Sequence, residues 1–194
     1  MIDAMNDTET NFDITAYWQQ RGKQAMFDLL LPKDQAELAH LACWVERLQP
    51  ASILDVGSGW GRLLVFLRGR RYQGIYSLVD FVPSMREGCL KAVGVAPTAW
   101  DGVRLPYADQ SFDLVLAART ILHVPPARVR QYLDEQIRVA RRWIYVLTNN
   151  IATASPHCFN HDYTRLFEEA GLTVKTTTVF HRERACWILG VAHG

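Results

Sequence analysis

Apolar positions along this chain follow one spacing at the start and another after residue 50. From residue 12 to 31, aromatic and aliphatic side chains recur at helical intervals, and Pro32 closes the stretch. A second helix is expected from about Asp34, with Leu38, Leu41, Val45 and Leu48 on one stripe and Pro50 at its end. Short apolar runs then take over. Residues 52–56 (SILDV), 75–79, 97–100, 112–118 (FDLVLAA), 143–147 (WIYVL), 173–179 and 186–192 read as strands, the third weakly. Helical patterns separate them over 62–70, over 83–93 with Pro83 at the first position, and over 127–141. In the last of these, Val129, Tyr132, Leu133, Ile137 and Ala140 share a face. A further helix carries Tyr163, Leu166, Phe167 and Ala170, with Asn160 as its expected cap and Gly171 as its stop.

Strands alternating with helices give βαβ units and a parallel sheet. The final two runs are joined only by residues 181–184, a link too short for a parallel crossover. The expected fold is α/β: a Rossmann-like, seven-stranded, mostly parallel sheet with one antiparallel strand and helices on both faces. One domain is expected over 1–194, with helices in 1–50 capping a core in 51–194. No repeat or linker divides it.

Composition narrows the partners. The chain has 194 residues, 49% hydrophobic and 21% charged, with a net charge of +1. That balance lacks the basic excess of a non-specific nucleic-acid binder. Arginines at Arg68, Arg70 and Arg71, and from Arg128 to Arg142, read as solvated helix faces. Cys43, Cys89, Cys158 and Cys186 form no C-x-x-C pair, which argues against a disulfide framework or a zinc site. The first ten residues are polar and read as a flexible segment without a signal-peptide core. No window approaches the ~18 apolar residues of a membrane span. A cytoplasmic protein, monomer or homodimer, with a small-molecule partner and neither nucleic acid nor membrane, is the expectation.

The sharpest chemical signal is Asp55-Val56-Gly57-Ser58-Gly59-Trp60-Gly61, between a strand and a helix. Glycines allow a tight turn and close approach of a ligand to the main chain. The helix start offers free N–H groups. The G-x-G-x-G spacing departs from the dinucleotide G-x-G-x-x-G, and no Gly-Lys-Ser/Thr follows as in a P-loop. Asp55 suits an ammonium group better than a pyrophosphate, which it repels. Asp80 closes the next strand, where a carboxylate accepts from ribose hydroxyls; its alternative is helix capping. Phe81 is placed to pack on a purine. Asp101, beside Gly102, is placed to accept from an adenine amine; its alternative is an Asx turn.

The set ILDVGSGWG (53–61), SLVDFVPSM (77–85), WDGVRLPYADQSFDLVLA (100–117) and ILHVPP (121–126) resembles the class I S-adenosylmethionine-dependent methyltransferases. The resemblance implies that S-adenosylmethionine is the cofactor. It assigns Asp55, Gly57, Ser58 and Gly59 to the methionine end, Asp80 to the ribose, and Asp101 and Gly102 to adenine. Arg119 and Thr120 would line the methionine and sulfonium region. Tyr17-Trp18-Gln19-Gln20-Arg21 resembles the lid helix of small members, which would bring Tyr17 or Arg21 to the cofactor carboxylate.

On the acceptor side, His123 is a candidate general base, with a structural role in its turn as the alternative. His157, His161, Asp162 and Tyr163 form a second group: His161 as a catalytic residue, the other three as substrate contacts. Metal binding by His157, His161 and Asp162 is disfavoured, since no further ligand is evident. The implied function is methyl transfer to an oxygen or nitrogen of a small molecule. Alternatives are methylation of a protein or peptide, or a non-catalytic cofactor-binding partner subunit; the latter would be expected to lose the acidic contacts that Asp55, Asp80 and Asp101 retain. The glycine spacing disfavours a nicotinamide oxidoreductase.

Overall fold

A computed structural model describes residues 13–24, 35–149, 155–181 and 184–193. The polar first ten residues, the helical pattern beyond residue 24 and the expected start at Asp34 lie outside the described residues. In chain order the elements are α1 (Ile14–Gln24), α2 (Gln35–Leu48), β1 (Ser52–Val56), α3 (Arg62–Gly69), β2 (Ile75–Asp80), α4 (Pro83–Val93) and β3 (Thr98–Ala99). There follow β4 (Phe112–Ala118), a 3-10 turn (Ile121–His123), α5 (Pro126–Val139), β5 (Ala140–Asn149), α6 (Tyr163–Glu169), β6 (Thr173–His181) and β7 (Arg184–Gly190).

The seven strands form one sheet in the order β3-β2-β1-β4-β5-β7-β6. Strand β7 inserts between β5 and β6 and runs antiparallel to both; the other pairs are parallel. This is the expected sheet. The central strands are buried on both faces, which is why they read as unbroken apolar runs. Strand pleating sorts their side chains. Leu54 and Val56 join one core cluster with Leu133 and Phe167, while Ile53 joins the other with Leu38, Leu41 and Leu67. No helix among the described residues is long and apolar enough to cross a membrane.

Two local expectations change. The helical pattern of 127–141 stops at Val139, and β5 begins at Ala140, because pairing of Ala140 with Phe112 draws the chain into the sheet. The cap of α6 is Asp162, not Asn160: its carboxylate accepts from the Arg165 N–H at 3.1 Å. The turn expected around His123 takes the form of a 3-10 turn over Ile121–His123.

In this order β1 has β2 on one side and β4 on the other, so the chain reverses its direction of travel across the sheet there. At such a switch point the loops after the strands part and leave a crevice.

Candidate active site

The loop after β1 is held to the end of β2. The N–H groups of Gly57 and Ser58 both donate to the Val79 carbonyl, at 2.9 and 3.1 Å. Gly57 has φ +72°, and a Cβ there would stand 2.3 Å from Thr120 Cγ2, so only glycine fits. Gly59 has φ +53° and open space on its Cβ side, with only Met85 Sδ at 4.0 Å.

Asp80 is buried at the point where β2 ends. One carboxylate oxygen accepts from the Gly59 N–H and the other from the Val82 N–H, each at 2.8 Å. Each oxygen keeps a further lone pair. Burial pushes its pKa up to about 6, against the pull of these two N–H groups and the Arg86 charge. Asp55 lies beneath the loop and accepts from the Tyr76 hydroxyl at 3.0 Å. Burial pushes it to about 7, opposed by the Tyr76 bond. It fastens β1 to β2 from below and is absent from the cavity lining.

The crevice holds a half-open cavity of about 180 Å³. Gly57, Gly59, Asp80, Phe81, Arg119, Thr120 and His123 line it. Helix α1 covers it with Ile14 and Trp18, and Trp100 and Tyr132 complete its walls. The indole N–H of Trp100 is buried without a partner among the described residues, as is the hydroxyl of Ser58, which sits in the glycine loop but outside the lining. Asp101 and Gly102 stand outside the lining. Asp101 is exposed, and its Oδ1 accepts from Val103 and Arg104 N–H groups at 2.8 and 3.0 Å, closing an Asx turn that positions Trp100.

Arg119 follows β4 in the left-handed region, φ +62°. Its Nη2 donates to both oxygens of Glu37, at 3.3 and 3.2 Å, and Arg184 meets the same buried carboxylate. Thr120 Oγ1 and the Tyr132 hydroxyl are 2.6 Å apart. Sequence pattern placed Tyr132 on a core stripe; the need of a buried phenol for a polar partner was the available signal. Glu37 was equally hidden, a lone carboxylate on an amphipathic helix.

His123 has one nitrogen assigned by its surroundings. Nδ1 lies 2.6 Å from the His157 carbonyl oxygen, which only accepts, so Nδ1 carries the proton and Nε2 keeps its lone pair. Burial lowers its pKa to about 4, partly offset by that bond. The Trp18 ring meets it edge-on at 4.7 Å, and the His157 ring stacks at 5.4 Å. Tyr17 stacks on His157 at 4.3 Å. Burial and the nearby Arg21 charge lower the His157 pKa. Arg21 itself is exposed on α1.

The remaining acceptor-side candidates serve other contacts. His161 Nε2 donates to the Val124 carbonyl at 3.0 Å, so that nitrogen is committed to main chain. Asp162 caps α6. Tyr163 is buried against Phe167 and Trp187, and its hydroxyl meets Thr148 at 3.2 Å. The structure thus gathers His123, His157 and Tyr17 at one rim and leaves His161, Asp162 and Tyr163 behind it.

A methyltransferase domain model matches residues 53–142. A demethylmenaquinone methyltransferase from Roseiflexus sp. (strain RS-1) is 39% identical over 94 residues, covering 45% of this chain. The alignment spans 37% of that curated relative's length. A SAM-dependent methyltransferase from Aquifex aeolicus superposes with a TM-score of 0.66 at 16% identity, over 93% of this chain and 100% of that one. The magnesium protoporphyrin IX methyltransferase of Synechocystis PCC 6803, solved with bound SAM, gives 0.67 at 14% identity, over 95% and 100%. At these identities the structural likeness is one of fold.

Proposed function

We propose that this chain, which carries a matched methyltransferase domain over residues 53–142 and the fold of solved methyltransferases, is a class I S-adenosylmethionine-dependent methyltransferase that transfers the methyl group to an oxygen or nitrogen of a small-molecule acceptor. The observation that carries the reading is the cavity at the switch point, lined by a glycine turn and a buried carboxylate that keeps lone pairs free. Those groups fit the cofactor. Asp80 has lone pairs left for ribose hydroxyls, Gly59 leaves room for close approach, and Trp100, Tyr132 and Phe81 supply flat apolar walls for the purine. Arg119 and Thr120 form the wall of the methionine end. When bound, the cofactor supplies a methyl group on a sulfonium, open to in-line displacement.

The chain's own part is positioning, exclusion of water and proton transfer. Helix α1 shields the cavity through Ile14 and Trp18. His123 Nε2 is the base: it takes the proton of an acceptor O–H or N–H and holds it while the heteroatom attacks carbon. The His157 carbonyl keeps Nδ1 protonated and so leaves the lone pair on Nε2. Burial keeps the imidazole neutral and its lone pair available at neutral pH, at the cost of a weaker base. The apolar, aromatic rim favours a ring-bearing acceptor. Likeness over part of the chain to a demethylmenaquinone methyltransferase supports a quinol-like one. The near-neutral charge supports a reading without nucleic acid.

Calorimetric titration with S-adenosylmethionine, S-adenosylhomocysteine and NADH is the test. One-to-one binding of both sulfur nucleotides and none of NADH is expected; silence from both sulfur nucleotides overturns the reading. Against hydroxylated quinones, His123→Ala is expected to bind S-adenosylhomocysteine yet lose about 10²–10⁴-fold in kcat. Full turnover in that variant removes the base from the mechanism.

A further inference from the structure

Three ligating side chains meet at the cavity rim from two segments distant in sequence. His123 ends the 3-10 turn; His157 and Cys158 precede α6. One nitrogen of each histidine and the Cys158 sulfur lie within 4.8 Å of one another. The sulfur stands 3.9 Å from His123 Nδ1.

Both segments are pinned, so the meeting is built into the backbone. The Phe159 N–H donates to the Leu122 carbonyl at 2.7 Å, and His161 reaches the Val124 carbonyl, one bond on each side of His123. The Cys158 N–H closes a turn onto the Ser155 carbonyl at 3.0 Å. The Ser155 hydroxyl stands 2.9 Å from His157 Nδ1 and orients that ring.

We propose that His123, His157 and Cys158 form a binding site for a thiophilic divalent cation such as zinc, with one coordination position open. Two imidazoles and a thiolate are the donor set such ions select, and three protein ligands leave a tetrahedral ion its fourth place. Tetrahedral ligands at zinc distances lie roughly 3.3–3.8 Å apart, so the cluster needs a contraction of about 1 Å. The His123 nitrogen beside the sulfur is Nδ1, so binding gives up its bond to the His157 carbonyl, moves the imidazole proton to Nε2 and releases the Cys158 thiol proton. The set differs from the one the sequence spacing offered, since His161 donates to main chain and Asp162 caps a helix. A cation here withdraws His123 from proton transfer. That consequence rests on the base role proposed above; the binding itself does not.

Cobalt(II) titration followed by absorption tests it. One equivalent is expected to produce a thiolate-to-cobalt charge-transfer band that zinc displaces. Cys158→Ser is expected to lose the band and to weaken zinc binding by about 100-fold or more. Cys43→Ser, which removes an exposed thiol elsewhere, is expected to leave both unchanged. Circular dichroism identical to the starting protein establishes that Cys158→Ser folds; should it not, His157→Ala serves in its place and is expected to weaken zinc binding comparably. No saturable one-to-one binding, a band that survives in Cys158→Ser, or one lost in Cys43→Ser overturns the site.

Discussion

His123 owes its neutral state to burial and its tautomer to a carbonyl acceptor, which itself pulls the other way. Burial removes the water that would solvate an imidazolium, and a carbonyl acceptor decides which nitrogen holds the proton. Long-range nitrogen–proton correlation NMR is expected to show the Nδ1–H tautomer from pH 8 down to about 5, with protonation only near pH 4. Titration near 6.5 would remove the burial argument. Gly57 makes a second residue-scale case. Gly57→Ala places a methyl group against Thr120 and asks alanine for a φ of +72°. A loss of about 1–3 kcal/mol in unfolding free energy is expected by denaturant titration. The glycine turn, Asp80 and His123 were legible because motif spacing and residue chemistry are local. The surroundings of Asp55 and His161 were not, whereas Asp101 closes the Asx turn that its sequence offered as the alternative. Asp55 and His161 spend their hydrogen bonds on a neighbouring strand and on main chain, and which partner a side chain finds is settled by packing.

Helices and strands were legible where a periodic apolar face is buried, as in α2, α5 and β4. Legibility failed where pairing or geometry overrides local pattern. Residues 140 and 141 extend a helical pattern yet join β5, and β3 shrinks to the two residues that pair with β2. How α1 attaches was equally invisible. Its docking on α4 rests on Ser84, whose hydroxyl donates to the Gln19 carbonyl at 2.9 Å and whose N–H donates to the Gln19 side chain at 3.2 Å. Ser84→Ala removes the first bond and keeps the second. One such bond contributes about 0.5–1.5 kcal/mol. Because α1 covers the cavity, release of S-adenosylhomocysteine is expected to speed up by about 2–10-fold in stopped-flow fluorescence. An unchanged rate would mean that the product leaves without α1 moving.

Across the whole molecule, the carboxyl end of the sheet buries two acids and a base away from water, and the cost of doing so depends on pH. Asp55 is raised from 3.8 to about 7, chiefly by burial. A raised carboxyl binds its proton more tightly in the folded chain than in the unfolded one. Its contribution to stability is therefore fully present below pH 3.8 and lost as pH climbs towards 7. Asp80, raised to about 6, acts with the same sign. His123, lowered to about 4, acts oppositely: its contribution is lost as pH falls from 6.5 towards 4. A single stability curve mixes the three. Comparison of the starting chain with Asp55→Asn isolates one, since Asp80 and His123 remain in both, and asparagine can still accept from Tyr76. The difference in melting temperature is expected to move steadily in favour of the variant between pH 4 and 7, then level off. Parallel curves would show that Asp55 ionises as freely as an exposed carboxylate. A slope of the opposite sign would mean that the Tyr76 bond and the Arg62 charge outweigh burial, leaving Asp55 ionised beneath the glycine loop.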